Sequence, residues 1–253
     1  MRFEILPGTV TLVGGGPGDP GLITVAGLEA IRQADVLLHD RLGPVELIAE
    51  APEGAEVVNV GKIPHGHFTP QEEINRLLVE HARAGRRVVR LKGGDNYVFG
   101  RGGEEWQHCA AAGIPVRVVP GVTSAVSVPA VAGIPVTHRS LAQGFCVVSG
   151  HVAPSDPRST VDWAALAASG LTLVILMGVK QLGVIAEALV AGGLPPSTPA
   201  AVVEDGTTPG QRVIRGTLAD VADRTAASDV RPPAIVVVGD VAGLDLSVGA
   251  HPH

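Results

Sequence analysis

Short, uninterrupted apolar runs constrain the fold of this chain more than any other feature. Leu171–Leu176 reads LTLVIL and Ala234–Val238 reads AIVVV, so neither run alternates apolar with polar side chains. A strand with apolar side chains on both faces belongs to a sheet that is covered on both sides. Helical patterns separate such runs, as in Pro70–Ala84, where apolar residues recur at helical spacing. The sequence therefore predicts an α/β protein built from layers of helix and sheet.

Predicted strands and helices alternate along the 253 residues. The strands are Thr9–Val13, Asp35–His39, Val57–Val60, Arg87–Leu91, Val116–Val119, Phe145–Ser149, Leu171–Leu176, Ala200–Val203, Val213–Arg215 and Ala234–Val238. The helices are Gly27–Ala34, Pro70–Ala84, Glu104–Ala112, Thr123–Val131, Trp163–Ala168, Gly183–Val190 and Leu218–Thr225. We expect two α/β domains, residues 1–120 and 121–247, joined near Pro120–Val122 and followed by a tail at 248–253. Ligands of such sheets bind beyond the carboxyl ends of strands and often between domains.

Composition excludes several classes of function. The net charge is −6 and no basic run occurs, which argues against a nucleic-acid partner. The most apolar stretch, Leu171–Val179, is too short to cross a bilayer, so no membrane segment is predicted. Cys109 and Cys146 lie far apart without a partner motif, and the first residues contain no apolar signal-peptide region. These features favour a cytoplasmic protein in a reducing compartment.

The segment from Arg90 to Glu105, RLKGGDNYVFGRGGEE, has the composition of a ligand-binding loop. It holds five glycines and follows a predicted strand. Glycine lets a backbone approach a ligand closely, because it has no Cβ and tolerates positive φ. Arg101 could bind a substrate carboxylate through two hydrogen bonds. Glu104 and Glu105 equally suit the amino terminus of a helix on electrostatic grounds alone.

A second glycine cluster follows the first strand. A G-x-G-x-x-G pattern falls on Gly16, Gly18 and Gly21. With Asp40 at the end of the next strand, this pattern matches the dinucleotide-binding fingerprint. Pro17 and Pro20, however, remove two amide donors, and Asp19 would place a negative charge beside a pyrophosphate. A plain turn and a loop for a neutral or cationic ligand are the alternatives, and the acid and missing donors favour the last.

Other polar residues also follow predicted strands. Asp40 and Lys62 end neighbouring strands, where they could exchange protons with a substrate or form a surface pair of little energetic value. Thr123 or Ser124 would suit a helix N-cap, which by itself explains their presence. His65-Gly66-His67 lacks further ligands at a suitable spacing, so no metal site is predicted.

Taken in order, these motifs resemble those of the uroporphyrinogen-III C-methyltransferases, a group within the tetrapyrrole methylases. The motifs are GGGPGDPGLIT, VLLHDRLG, NVGK, PQEEIN, VVRLKGGDNYVFGRGGEE, VVPGVTSA, AGIPVTHR, VVSGH, VILMGV, VVEDGTTPGQR and PPAIVVVG. They extend over residues 8 to 245, and GRGGEE with the Lys62 and Arg139 motifs separates the chain from related cobalamin-pathway and diphthine methyltransferases.

The resemblance implies two α/β/α domains of the tetrapyrrole methylase type, with S-adenosylmethionine in the cleft between them, and a homodimer. It implies two C-methylations of uroporphyrinogen III, through precorrin-1 to precorrin-2, with S-adenosylhomocysteine as the second product. The implied cofactor contacts are Pro17, Gly93, Gly94, Asp95, Val98, Thr123, Ser124, Met177 and Gly206. Asp40 and Lys62 occupy the positions of proton acceptor and donor. Arg101, Glu104 and Arg139 would face the tetrapyrrole, with Arg101 a competitor to Asp40 as the base.

The chain departs from the usual pattern of this group at a few positions. Asn96 and Tyr97 replace Pro and Phe in the long glycine loop, His39 replaces Tyr, and Ser124 replaces Ala. None of these changes removes a charged site residue. Another precorrin methylase, a nicotinamide-dependent dehydrogenase and a tetrapyrrole carrier without turnover are the alternatives.

Overall fold

The computed structural model describes residues 4–40, 43–61, 69–244 and 246. Two compact units divide between Thr123 and Ser124. Each unit holds one five-stranded sheet. Helices pack on the sheets, so the α/β class predicted from the apolar runs is confirmed.

The first unit contains an entirely parallel sheet in the order β3-β2-β4-β1-β5. Its elements are β1 Val10–Gly14, α1 Val25–Ile31, β2 Val36–His39, β3 Glu56–Asn59, α2 Gln71–Arg83, β4 Val88–Lys92, α3 Gly102–Ala111 and β5 Val116–Val119. Because all five strands point the same way, the segments that follow them meet along one edge of the sheet.

Both faces of this sheet carry a hydrophobic core. Leu12 and Val88 pack on one face with Leu78 of α2 and Cys109 of α3. Val13, Leu37 and Val89 pack on the other face with Ile31 of α1. Successive strand residues thus point to opposite faces, and each face is covered by helix.

The second unit contains a mixed sheet in the order β6-β7-β10-β8-β9, in which only β6 and β7 pair in parallel. Its elements are α4 Ser124–Val131, β6 Phe145–Ser149, α5 Trp163–Ala167, β7 Thr172–Leu176, α6 Leu182–Ala191, β8 Pro199–Glu204, β9 Arg212–Thr217, α7 Val221–Ala227 and β10 Ala234–Val238. Helices α5, α6 and α7 cover one face, and α4 covers the other. The runs LTLVIL and AIVVV lie at β7 and β10, where every strand residue is buried, as predicted.

Three predicted helices have different bounds for identifiable reasons. The first begins at Val25 because Thr24 Oγ1 accepts a hydrogen bond from the backbone N–H of Gly27. Helix α3 begins at Gly102, so two glycines predicted to be loop belong to its first turn. Helix α7 begins at Val221, after Asp220 accepts hydrogen bonds from the backbone N–H and hydroxyl of Thr217. Short 3₁₀ segments at Pro20–Leu22, Val45–Glu50, Val179–Gln181 and Asp240–Gly243 were not predicted.

Candidate active site

The carboxyl edge of the parallel sheet gathers most candidate residues of the first unit. Pro17 follows β1, Asp40 follows β2, and Gly93, Gly94 and Asp95 follow β4. Pro17, Asp40 and the three residues after β4 are all half-buried, so a ligand at this edge can reach them. The parallel topology therefore brings together segments that are far apart in the sequence.

Three glycines hold this edge together by backbone contact. A Cβ on Gly121 would lie 2.2 Å from the Gly94 carbonyl oxygen and 2.6 Å from the Gly14 Cα. A Cβ on Gly14 would lie 2.5 Å from the Gly121 nitrogen. Gly94 also exchanges backbone hydrogen bonds with Gly16, of 2.6 and 3.2 Å. Only glycine permits the ends of β1, β4 and β5 to approach this closely.

Asp95 fixes the long glycine loop to the end of β5. Its Oδ1 accepts a hydrogen bond of 2.8 Å from the backbone N–H of Tyr97, and its Oδ2 accepts one of 3.0 Å from the backbone N–H of Gly121. Both carboxylate oxygens thus serve the loop. In this geometry Asp95 shapes the predicted cofactor site and places its negative charge beside it.

Asn96, unusual at its position, fastens the same loop to the sheet. Its Nδ2 donates to the carbonyl oxygens of Val119 at 2.9 Å and of Leu12 at 3.3 Å, and its side chain is fully buried. The backbone N–H of Gly102 donates to its carbonyl oxygen at 3.0 Å. A proline at this position would lack the carboxamide that links the two strands. Neighbouring Tyr97 is 55% exposed and takes no part in this attachment.

Arg101 and Glu104 form a surface ion pair with each other. Arg101 Nε lies 2.9 Å from Glu104 Oε1, and Nη2 lies 2.6 Å from Oε2. The side chains are 52% and 53% exposed. The hydrogen bonds that Arg101 donates to Glu104 raise the pKa of Arg101 above its usual value, whereas a base would need a lowered pKa. The geometry favours an electrostatic role for Arg101 and argues against the proton-acceptor role considered from the sequence.

The sequence analysis did not predict a group of largely buried charges that lies below this edge. We call Asp40, Arg90, Lys92 and Glu105 the charge cluster. Glu105 Oε1 accepts hydrogen bonds from Lys92 Nζ at 2.9 Å and from Arg90 Nε at 3.3 Å, and Arg90 Nη2 donates to Asp40 Oδ2 at 3.3 Å. The exposed fractions of Arg90, Lys92 and Glu105 are 3%, 4% and 0%. Burial lowers the pKa of Lys92, and the nearby charge of Arg90 lowers it further.

One sequence signal could have revealed the charge cluster. Arg90 and Lys92 are two residues apart in the otherwise apolar strand β4, VVRLK, so their side chains point to the same face. Buried basic residues need an acidic partner, and Glu105 lies in the first turn of the helix that follows. The sequence reasoning instead assigned Glu105 to helix electrostatics alone.

The loop after β1 does not have the geometry of a dinucleotide site. Asp19 Oδ1 accepts the backbone N–H of Gly21 at 2.7 Å, which occupies a donor that a pyrophosphate would need. A 3₁₀ turn, Pro20–Leu22, contains Gly21 and lies between the first two glycines and α1, which begins at Val25. The fingerprint relies on a helix amino terminus directly after the glycines, which this loop does not provide. The dinucleotide interpretation is therefore disfavoured.

In the second unit the candidate residues lie at unusual backbone conformations. Met177 directly follows β7, has φ of 58° and is 49% exposed. Gly206 follows β8 between Asp205 and Thr207, whose φ values are 47° and 71°. A Cβ on Gly206 would lie 2.4 Å from Cγ1 of Val128 in α4. Positive φ is unfavourable for residues with a side chain, and such strain concentrates at functional sites.

The remaining candidates have simpler surroundings. Val98, Thr123 and Ser124 are half-buried, and Ser124 begins α4. Arg139 is exposed and lines a surface cavity of about 370 Å³ with Thr137, His138, Ala142 and Gln143. Lys62, Arg41 and the pair His65 and His67 lie outside the described residues. Among the described residues no cluster of histidine, cysteine and acidic side chains could hold a metal ion.

None of the helices in the described part of the chain has the length and apolar character needed to cross a membrane.

Comparison with known proteins places these features in context. The family profile of the Tetrapyrrole (Corrin/Porphyrin) Methylases matches residues 9–222. A uroporphyrinogen-III C-methyltransferase of Methanocaldococcus jannaschii is 49% identical over 237 residues, covering 93% of this chain and 97% of the relative. A siroheme synthase of Tolumonas auensis is 50% identical over 237 residues, covering 94% of this chain. This chain spans only 50% of that synthase's length.

Solved structures show the same similarity. The uroporphyrin-III C-methyltransferase of Thermus thermophilus, complexed with S-adenyl homocysteine, has a TM-score of 0.78 at 42% sequence identity. The alignment covers 96% of this chain and 96% of that protein.

Proposed function

This chain belongs to the tetrapyrrole (corrin/porphyrin) methylase family, and on that premise we propose that it is a uroporphyrinogen-III C-methyltransferase. It transfers methyl groups from S-adenosylmethionine to two pyrrole carbons of uroporphyrinogen III. The first transfer gives precorrin-1 and the second gives precorrin-2.

The convergence of two kinds of group at one sheet edge carries the proposal. The backbone loop Gly93-Gly94-Asp95 follows β4, and the carboxylate of Asp40 follows the adjacent strand β2. A methyl transfer to carbon needs a holder for the methyl donor and an acceptor for the proton that the substrate loses after the transfer. Positioning of the two reactants supplies much of the acceleration.

The donor set of the loops fits S-adenosylmethionine better than a polyanionic cofactor. Asp19 and Asp95 place negative charge beside the loops after β1 and β4, and Arg101 in the longer loop is already paired with Glu104. Acids beside partly accessible backbone suit a sulfonium cation. The proposed binding residues are Pro17, Gly93, Gly94, Asp95, Val98 and Thr123 of the first unit, and Ser124, Met177 and Gly206 of the second. When bound, S-adenosylmethionine supplies the electrophilic methyl group.

The proposed catalytic residues act on the substrate's charge and its protons. After the methyl–sulfur bond breaks and the methyl–carbon bond forms, Asp40 accepts the proton that the macrocycle loses, since the methylated carbon itself carries no hydrogen. Lys62 is the proposed proton donor of the site. Arg101 and Arg139 are exposed cations that attract the carboxylates of the tetrapyrrole, and Glu104 holds Arg101 in place through their ion pair. This attraction operates locally, although the whole chain carries a net charge of −6.

Two measurements test the proposal directly. Isothermal titration calorimetry should detect binding of S-adenosylhomocysteine. Anaerobic incubation with S-adenosylmethionine and uroporphyrinogen III should give a product whose mass shows two added methyl groups. If neither S-adenosylmethionine nor S-adenosylhomocysteine binds, the proposed function is overturned. Methylation of a precorrin but not of uroporphyrinogen III would identify another tetrapyrrole methylase.

We further propose that the protein is a cytoplasmic homodimer. We also propose domain bounds of 1–120 and 121–247 for each protomer. Multi-angle light scattering of the purified chain measures its mass in solution. A monomeric mass at micromolar concentration would contradict the dimer and leave the methyltransferase assignment to the activity assay.

A further inference from the structure

We propose that Arg90 is a positioning residue that holds the carboxylate of Asp40 in its working orientation. The inference rests on the proposed function, since it concerns the same carboxylate. It adds a role for a buried side chain that does not face the substrate.

Hydrogen bonds from all three nitrogens fix the orientation of the Arg90 guanidinium. Its Nε donates to Glu105 Oε1 at 3.3 Å, its Nη1 donates to the Leu91 carbonyl oxygen at 2.8 Å, and its Nη2 donates to Asp40 Oδ2 at 3.3 Å. The side chain is 4% exposed. A planar guanidinium with each nitrogen bonded to a different acceptor has little freedom to rotate. Its contact with Asp40 therefore transmits a fixed direction to that carboxylate.

Asp40 needs such support because of its place in the chain. It lies directly after the last residue of β2, beyond the regular hydrogen bonding of the sheet, and its side chain is 22% exposed. Arg90 lies in β4, the parallel neighbour of β2, with Leu38 opposite it. A rigid strand thus supports a group at the end of another strand, as precise catalytic geometry requires.

Glu105 and Lys92 balance the remaining charge. The charge cluster holds two acids and two bases, so its formal charge is zero. Glu105 Oε1 also accepts a hydrogen bond from Gln71 Nε2 at 3.3 Å, which ties the cluster to α2. Lys92 contacts Glu105 at 2.9 Å, and its ion pair is with Glu105. This arrangement provides a matched control, because either base can be removed together with Glu105 without changing the net charge.

The experiment compares two double variants. Arg90→Met/Glu105→Gln and Lys92→Met/Glu105→Gln each remove one buried cation and one buried anion, but only the first removes the donor to Asp40 Oδ2. In both, Glu105→Gln keeps a side-chain oxygen that can accept a hydrogen bond. We expect the first to lower kcat about 10²-fold, the loss typical of a misplaced catalytic group, with KM and S-adenosylhomocysteine affinity retained. We expect the second to retain kcat. Arg90→Lys, which keeps the charge balance, should lose about 10-fold, because one ammonium cannot reach all three acceptors.

Crystal structures of both double variants provide a readout that does not depend on turnover. The Asp40 carboxylate should adopt several orientations in the Arg90 variant and one in the Lys92 variant. Equal kcat values in the two variants, or an unchanged, singly oriented Asp40 without Arg90, would overturn the inference. If the Arg90 double variant does not fold, Arg90→Lys decides by the same two measurements. A wild-type protein without activity on uroporphyrinogen III would overturn the proposed function, and the crystal structures alone would then decide the role of Arg90.

Discussion

The two units prepare their candidate residues by different physical means. In the first, Arg90, Lys92 and Glu105 are buried beneath the sheet edge that carries Asp40. Among the described residues of the second, Glu204 is the buried charged residue, and its partner Arg212 is 51% exposed. Positive φ occurs in both units, at Arg101 in the first and at Met177 in the second. The first unit therefore adds buried side-chain charge to such backbone, whereas the described part of the second has little buried charge.

This difference suggests a division of labour within one reaction. Charges buried in a medium of low polarity are costly, and they persist where their direction matters. Strained backbone places main-chain groups against a ligand without adding charge. On the proposed function, we expect proton transfer to depend on the first unit and the second to contribute mainly to holding the methyl donor. We therefore expect variants of the first unit to lose turnover and variants of the second to lose affinity for S-adenosylhomocysteine.

The largest effect is expected at Asp40. Asp40→Asn should lower kcat by about 10²–10⁴-fold, because an amide cannot accept the proton, while S-adenosylhomocysteine binding persists. Single-turnover methyl transfer and calorimetry measure the two properties. Asp35→Asn is the matched control, since Asp35 precedes the same strand at its opposite end and pairs with Arg87. Wild-type turnover in Asp40→Asn would contradict the proposed role of Asp40 as the proton acceptor.

The buried acids of the two units should differ in stability effect. Glu105→Gln leaves Arg90 and Lys92 without their shared anion and should lower the free energy of unfolding by about 3–5 kcal/mol. Glu204→Gln should lower it by about 1 kcal/mol, because the Arg212 guanidinium can turn to water. Urea denaturation followed by tryptophan fluorescence measures both. Trp106 reports on the first unit and Trp163 on the second, so Trp→Phe backgrounds separate the transitions.

Equal losses in these two variants would contradict the proposed contrast. They would show that the buried charge of the first unit is held no more tightly than the partly exposed pair of the second.

A smaller effect should test the backbone role of the second unit. Gly206→Ala places a methyl group 2.4 Å from Val128 Cγ1 and should weaken S-adenosylhomocysteine binding about tenfold, or 1.4 kcal/mol. Val128→Ala in the same chain should restore binding, because it removes the clashing methyl groups. Gly183→Ala is the control, since its new Cβ would meet its nearest neighbour, Ala222 Cβ, at 3.9 Å. A loss of turnover with intact binding in Gly206→Ala would break the proposed division.

The smallest effect concerns the two cysteines, one in each unit. Burial raises the pKa of Cys109 to about 11, and the charge of Glu105 contributes. Because the thiolate is the reactive form, Cys109 should resist thiol reagents at pH 8 until the first unit unfolds. The half-buried Cys146 should react first. Mass spectrometry after timed labelling locates the modified residue, and Cys146→Ser isolates the signal of Cys109. Rapid labelling of native Cys109 would show that the core beside α3 opens readily.

The strands were the most predictable part of this molecule. LTLVIL and AIVVV indicate two-sided burial because their composition leaves no polar face. Every residue of the two runs is buried in the structure except Leu171, which precedes β7. The same composition carries no information on strand direction. The antiparallel pairing of β10 with β7 and β8 depends on chain connections that an apolar run does not encode.

The candidate site was predictable in its loops and not in its supports. The loops contain glycines at strand ends, a local signal. Arg90 and Glu105 become partners only when β4 and α3 pack, and Asp40 joins them from a distant strand. The positive φ of Met177 was equally hidden, because tertiary contacts impose that conformation on a residue that does not favour it. The attachment of Asn96 to Leu12 and Val119 explains a substitution that sequence comparison alone left without a reason.

The central position of β1 has a consequence for synthesis. Within the described part of the first unit it is translated before the other strands, yet its partners in the sheet are β4 and β5, and Gly14 meets Gly94 and Gly121. At about 5–20 residues per second, roughly 5–20 s pass between the translation of Gly14 and that of Gly121. During that interval the apolar strand β1 cannot pair with both of its neighbours, β4 and β5. We therefore expect the first unit to expose apolar surface until β5 emerges, and the edge that carries the proposed binding residues to be among its last parts to form.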